Sequence, residues 1–392
     1  MAGKSSQSKF SQRDLGRWKL LIDFQIRLAE AAQECARHPT FEDTRRKLEA
    51  AQYLCLFLFG LLNPVVRTMR GLCAASHLPR VQEEVCGRTV SLGSFSEAQH
   101  LLNPALLEKV FAELGQELHR LHNLGAVAKP SRWLIQDSTL WEALPRMDWA
   151  LWRTQGTMQK AVRLHLSLHV LEDKPVRAKV TVGAHCERKA WKENWQEGDA
   201  YVGDRYFGED YQLFEALDQK GCAFVLRLRD QASIHLQEEL PVREEDRAAG
   251  VVRQAWAVLG CKARYRSRRV RVVWVQGPKE VLLLVTNQRP EELSAALVSQ
   301  LYRCRWQIEL FFRWIKCILG SRHWLAESPE GVAIQIYLSL IAALLLQLYT
   351  GRRPTKRMME LIQFYLLGVA SLEDLEAGLE KEKAGLVRKN SK

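Results

Sequence analysis

Over the first 125 residues, apolar positions recur every three or four places, the spacing that turns one face of a helix toward a core. FEDTRRKLEAAQYLCLFLFGLL keeps that spacing up to a loop at Asn63 and Pro64, and VVRTMRGLCAASHLPRVQEEV predicts two short helices around a small-residue turn. SFSEAQHLLNPALLEKVFAELGQELHRLHNLG predicts a serine-capped helix, a restart at Asn103 and Pro104, and a long amphipathic helix stopped by Gly125. From Arg132 the period falls to two. RWLIQDSTLW reads as a short strand ending at Asp137, and AVRLHLSLHVL with VRAKVTVGAH reads as a hairpin across Glu172 to Pro175. DAYVGDRYFG reads as a strand ending at Asp204, EDYQLFEALDQKG as a helix closed by Gly221, and CAFVLRLRD as a further strand. Strand, hairpin, strand, helix and strand predict a mixed α/β core.

Further strand-like runs fill 233–287, and helical patterns return after 288. The chain therefore divides into a helical region at 1–125, a core at 126–232 and 288–350, a β-rich insertion at 233–287, and helices with a charged tail at 351–392. Two apolar stretches, Ala50 to Val66 and Gly331 to Thr350, approach the length of a membrane span. Gly60, Asn63 and Pro64 interrupt the first and Gln335 and Gln347 the second, which predicts buried core helices and no membrane partner.

The charge balance narrows the range of partners. The 392 residues carry a formal net charge of +12, which favours a polyanion such as double-stranded DNA. Helix, turn and helix in so basic a chain make the region before residue 125 a candidate for binding DNA ends, the alternative being a helical domain that packs and scaffolds. The basic segment KARYRSRRVR, Lys262 to Arg271, reads as a strand that tracks phosphates, the alternative being a solvated edge. Nine scattered cysteines without a CxxC pair argue against a zinc module or a disulfide framework. With no apolar run of signal-peptide length at the start, they point to a cytoplasmic setting. His165 and His169 share a strand face but have no third ligand nearby in sequence, and read as core or solvent-facing residues.

The chemistry concentrates in YRCRWQIELFFRWIK, where Glu309 is the sole acid among four cations and five aromatics. On an uninterrupted helix, Tyr302, Arg305, Glu309 and Lys316 fall on a ribbon about 60° wide with Arg313 beside it, while the apolar residues take the opposite side. A surface ion pair would account for Glu309 alone. Asp137 and Asp204 at strand ends suggest more, because ligands gather off strand ends in α/β sheets. Three converging carboxylates repel one another unless cations are present, and oxygen ligands suit Mg²⁺ or Mn²⁺, two of which would support in-line phosphoryl transfer.

Together, IQDST around Asp137, YVGDRYF around Asp204, LLVTN, and the spaced set Tyr302, Arg305, Glu309 and Lys316 resemble the DDE transposases of bacterial insertion sequences, specifically the insertion-sequence-four family with its Y-R-E-K signature. The resemblance covers about residues 130 to 350. It implies a ribonuclease H-like mixed-sheet catalytic core with a β-rich insertion between the second Asp and the Glu. It further implies cut-and-paste excision and strand transfer, in many members through a hairpin intermediate. Asp137, Asp204 and Glu309 would be both the catalytic residues and the metal ligands, with Tyr302, Arg305, Lys316 and Arg313 on DNA phosphates. Trp256 or Trp274 would be available to stack on a displaced base, although a core strand position is the plainer reading of both. The partners would be the element's terminal inverted repeats and target DNA, bound by a homodimer in a bacterial cell. A metal-dependent nuclease without strand transfer, or an inactive DNA-binding derivative, are the alternatives.

Overall fold

The structure, a computed structural model, describes residues 24–28, 30, 48–63, 65–66, 68–122, 132–153, 157–261, 266–317 and 323–390. The segment before Phe24, the helix from Phe41 up to residue 47, the stop at Gly125, and the start of the basic segment from Lys262 to Tyr265 lie outside the described residues.

The longer helices described in the first region are α1 (Ala50–Leu62), α2 (Met69–Ala75), α3 (Leu92–Leu101) and α4 (Ala105–His122), with a short helical stretch at Pro79–Cys86 between α2 and α3. Ser91, three residues before the predicted cap, accepts from the Ser94 amide and opens α3. Next come β1 (Arg132–Glu142), β2 (Leu151–Arg153), β3 (Met158–His169), β4 (Lys174–Val182), α5 (Glu187–Lys192), β5 (Asp199–Gly203), α6 (Tyr211–Gln219) and β6 (Ala223–Arg227). The inserted stretch holds β7 (Ile234–Leu240), α7 (Glu244–Ala248), β8 (Val251–Leu259), β9 (Val270–Gln276) and β10 (Val281–Thr286). The chain closes with α8 (Ala295–Cys304), α9 (Trp306–Cys317), α10 (Pro329–Thr350), α11 (Lys356–Leu366) and α12 (Leu372–Asn390).

Two compact units result. The helical unit takes Met1–Asn123, Glu142–Leu151 and Arg313–Lys392, and the sheet unit takes Leu124–Trp141 and Trp152–Phe312. In the helical unit, α10 packs against α1, α3 and α4. It is long and apolar enough to cross a bilayer, yet it is buried along most of its length, as a helix apolar all round must be in a core. Ser328 caps its start, and Gly351, at φ 76, ends it in the left-handed region that favours glycine.

The sheet unit is built on ten strands in the order β2-β3-β1-β5-β6-β10-β9-β8-β7, with β4 also pairing with β3. β3 and β4 form the predicted antiparallel hairpin, and β1, β5 and β6 run parallel to one another, giving a mixed sheet as expected. The inserted strands extend this same sheet, since β10 pairs antiparallel with β6 and leads on to β9, β8 and β7. Neighbouring residues of β6 face opposite ways. Phe224 and Leu226 join Trp191, Tyr201 and Phe214 in one core layer, while Val225 joins Val273, Leu284 and Val298 in the other.

One boundary differs from the sequence reading in a way that matters. β1 does not end at Asp137 but runs on to Glu142; what ends is its pairing with β5, at Ile135 opposite Val202. Asp137 thus lies within a continuing strand just past its pairing with β5, whereas Asp204 directly follows the last residue of β5.

Candidate active site

Parallel β1, β5 and β6 carry Asp137, Asp204 and Arg227 out on one edge of the sheet. Ile135 is level with Val202, and Gly203 with Leu226, so the three side chains follow the paired stretches at matching heights. The turn after β5 is tightly built. Asp204 Oδ1 accepts from the Tyr206 amide at 2.9 Å, and a Cβ placed on Gly208 would stand 1.9 Å from the Arg227 carbonyl oxygen, so only glycine lets this turn lie against β6.

Asp137 is largely enclosed. Its Oδ1 accepts from the Ser138 amide at 2.8 Å, and Arg305 Nη1 lies 3.7 Å from its Oδ2. Burial pushes its carboxyl up to about 7; the Ser138 amide opposes that, Glu187 and Asp204 add to it by repulsion, and Arg305 works against it. Arg305 also donates to Glu309 Oε1 at 2.7 Å, so one guanidinium spans the strand acid and the helix acid.

The helix bearing Glu309 is not the uninterrupted one assumed from sequence. α8 ends at Cys304 and α9 starts at Trp306, with the Arg305 amide bonding to Tyr302 O (3.1 Å) and the Ile308 amide to Arg305 O (3.3 Å). These three-residue bonds tighten the chain locally, while Arg305 keeps helical angles (φ −50, ψ −34), so Glu309 still lies one turn beyond it. Tyr302, on the last turn of α8, is half-buried. Burial raises its phenol pKa, Arg305 and Arg227 lower it, and Asp204 raises it. Arg227 holds Glu280 at 2.7 Å and Asp230 at 3.3 Å. Arg313 and Lys316 lie on the stretch of α9 assigned to the helical unit, Arg313 exposed and Lys316 half-buried. The structure thus brings Asp137, Asp204, Tyr302, Arg305 and Glu309 onto one set of elements and leaves Arg313 and Lys316 with the other unit.

Two residues at this edge were not singled out from the sequence. Arg227 looked like an ordinary strand residue. Glu187 opens the short helix α5, where an acid is commonplace, and only its pairing with Arg163 at 3.2 Å, 24 positions away, draws it to the site. Burial raises its carboxyl; Ser138 and Arg163 oppose that, and Asp204 adds to it.

The acids suit a hard cation chemically: all are oxygen donors, and Asp137, Glu187 and Asp204 repel one another in a largely buried setting. Among the described residues, however, no three His, Cys, Asp or Glu side chains gather closely enough to hold a metal ion. Arg305 lies within ion-pair distance of both Asp137 and Glu309.

Of the described part of the basic segment, 266–271, only Val270 and Arg271 lie in a strand, at the start of β9. Arg271 is fully buried, donating to Gln254 Oε1 at 3.1 Å and to the Leu293 carbonyl at 2.6 Å, with its pKa pushed down to about 10 by burial. Arg268 pairs with Glu215 at 2.5 Å, and Arg269 with Glu238. Arg271 instead anchors the segment leading into α8. Asp246 serves the same end by accepting from the Ala296 amide at 2.8 Å. The insertion is therefore a strut for the helix that carries Tyr302. Trp256 and Trp274 are half-buried strand residues, under Arg269 (4.9 Å) and Arg253 (5.0 Å) respectively. A cavity of about 530 Å³ lined by Trp256, Phe224 and Asn287 sits at the opposite end of β6 from Arg227, away from the acids. His165 is a core residue, bonded to Thr181 at 3.0 Å and pushed down to about 3, first by burial and then by Arg163.

Comparison with known proteins follows the same region. The profile of the Transposase DDE domain matches residues 129–345. A transposase assigned to insertion sequence element IS4SA of Synechocystis is 34% identical over 312 residues, 77% of this chain and 82% of that protein. One assigned to IS5377 of Geobacillus stearothermophilus is 24% identical over 220 residues, 56% of each. Another, y4zB of Sinorhizobium fredii, is 30% identical over 159 residues, 39% of this chain and 43% of that protein. The match spans about half the length of the last two relatives. Among solved structures, the piggyBac transposase synaptic complex with hairpin DNA aligns over 97% of this chain and 83% of that one, at a TM-score of 0.43 and 11% identity.

Proposed function

The chain belongs to the family of transposases with a DDE domain, and from that membership we propose that it excises an insertion sequence and joins the freed 3′ ends to target DNA. The observation that carries the reading is the acidic edge, where Asp137 and Asp204 leave adjacent parallel strands and Glu309 is tied to Asp137 through one arginine. In the finer form, the chain is of the insertion-sequence-four type, with Asp137, Asp204 and Glu309 as the acids of the reaction. These three would hold Mg²⁺ or Mn²⁺, two ions in all, which when bound supply a stronger nucleophile and stabilise the leaving oxygen.

The remaining roles fall to the protein's own cations. Arg305 has a planar fork that fits a phosphate as readily as a carboxylate. DNA-free, it bridges Asp137 and Glu309; a phosphate entering the site would compete for the same donors and release both acids. Tyr302 presents a phenol beside Arg227 and Asp204, while Arg313 and Lys316 extend the cationic run along α9. The partners in this reading are element ends and target DNA, and pairing two ends calls for two copies of the chain, acting in a bacterial cytoplasm. The same residues would serve a route through a hairpin intermediate.

The test supplies pre-cleaved element ends with free 3′ hydroxyls, a target plasmid and Mg²⁺. A transposase yields joined product. A nuclease without strand transfer yields only cut DNA, and that result would overturn the proposal.

A further inference from the structure

Glu187 has no part in the mechanism above, yet it is bonded into the strand that carries Asp137. We propose that Glu187 is a positioning residue for Asp137, acting through Ser138 and Arg163; the inference rests on the transposase reading of the acidic edge.

Three elements meet in this arrangement: β1 supplies Ser138, β3 supplies Arg163, and α5 supplies Glu187. Arg163 Nη1 donates to Ser138 Oγ at 3.0 Å and to Glu187 Oε2 at 3.2 Å. One Arg163 nitrogen thus joins Ser138 to Glu187, and Ser138 also favours the ionised Glu187 carboxyl. Arg163 Nε also reaches the Gly183 carbonyl at 3.3 Å, which fastens the cluster to the end of the β3–β4 hairpin. Both charged members are sheltered, with side chains 14% and 15% exposed. Their alignment is therefore maintained in a low-dielectric setting rather than traded with water.

The cluster bears on Asp137 through one atom. Ser138 is the next residue in the chain, and its amide donates to Asp137 Oδ1 at 2.8 Å. With the Ser138 side chain held by an Arg163 that Glu187 fixes in place, that amide has a fixed heading, and so has the carboxylate that accepts from it. Carboxylates that bind metal are commonly oriented by such outer partners, and losing one typically weakens metal affinity by about 10–100-fold.

The placement argues against a purely structural pair. Asp137 and Asp204 already repel each other here, and Glu187 acts on both, so a third acid makes the metal-free edge costlier. A pair needed for packing alone would be better placed elsewhere or replaced by apolar residues. An acid at this point is useful when a cation is to be bound and its ligand must be aimed.

The test is Mn²⁺ binding to the full DNA-free chain by titration calorimetry, with binding of element ends measured separately without metal. Glu187→Gln should weaken Mn²⁺ affinity by about 10–100-fold and leave end binding unchanged. Ser138→Ala should weaken it in the same direction by a smaller factor. Wild-type Mn²⁺ affinity in both variants overturns the proposal; if Glu187→Gln does not fold, Ser138→Ala alone decides in the same two directions. Asp137→Asn in the same titration separates this idea from the one beneath it. If Asp137→Asn loses Mn²⁺ while the other two keep it, only the positioning role fails; if Asp137→Asn keeps it, the metal reading of the edge fails as well.

Discussion

β1 and β5 lie side by side, and the buried acids at their two ends are treated in opposite ways. Where the strands begin, Asp199 on β5 lies 2.5 Å from Arg177 and accepts from the Tyr201 hydroxyl at 3.1 Å, while Arg177 also donates to Tyr201 at 3.0 Å. Where their pairing ends, Asp137 meets two further acids, Glu187 and Asp204, with Arg305 beside Asp137 and Arg163 on Glu187 as the partial answer. An acid whose cation is supplied by the fold contributes to holding the fold. An acid in surplus marks a place where something from outside is to be bound.

The comparison can be broken at either end. The largest effect is expected at the matched one. Asp199→Ala should destabilise the chain by about 3–5 kcal/mol in a urea titration, because it strands the sheltered Arg177 charge. A loss below 1 kcal/mol would mean that this pair does not hold the sheet. Next comes the turn that aims Asp204: Gly208→Ala should cost about 1–3 kcal/mol in the same titration, since the obstructing atom is backbone and has little room to yield. The smallest effect has the opposite sign. Asp137→Asn should stabilise the metal-free chain at pH 8 by about 1–2 kcal/mol, by removing a charge that the site disfavours.

That last effect depends on pH in a stated direction. The folded Asp137 carboxyl sits at about 7, against an ordinary value of 3.8, so the folded chain holds its proton more tightly than the unfolded chain does. The stability linked to this group is complete below about pH 4 and is lost as pH rises through about 7. Melting curves of the metal-free chain should show that decline between pH 4 and 8, and Asp137→Asn should flatten it.

Some of this was legible in the sequence and some was not, for physical reasons. Period-two alternation exposed β3 and β4, and the apolar run after Gly331 read directly as a buried helix, because each pattern repeats within one element. Asp204 was visible because a glycine turn follows it at once. Asp137 was placed too near the end of its strand, since polar residues after it look like a loop when the continuation of β1 beyond its pairing with β5 is unknown. Arg271 looked like surface because cations usually are; its burial depends on Gln254 and Leu293, which the fold brings to it from 17 and 22 positions away. Glu187 was illegible for the same reason, and the break at Arg305 has no local breaker residue to announce it.

In the proposed function, the acids on this edge perform metal-dependent strand cleavage. The direct measurement is Mg²⁺-dependent cutting of duplexes carrying the element ends by the wild-type chain and by Asp137→Asn, Asp204→Asn and Glu309→Gln, with end binding followed in parallel. Each substitution is expected to abolish cutting while leaving end binding within a few-fold of wild type. Retained cutting in any one of the three would contradict the account.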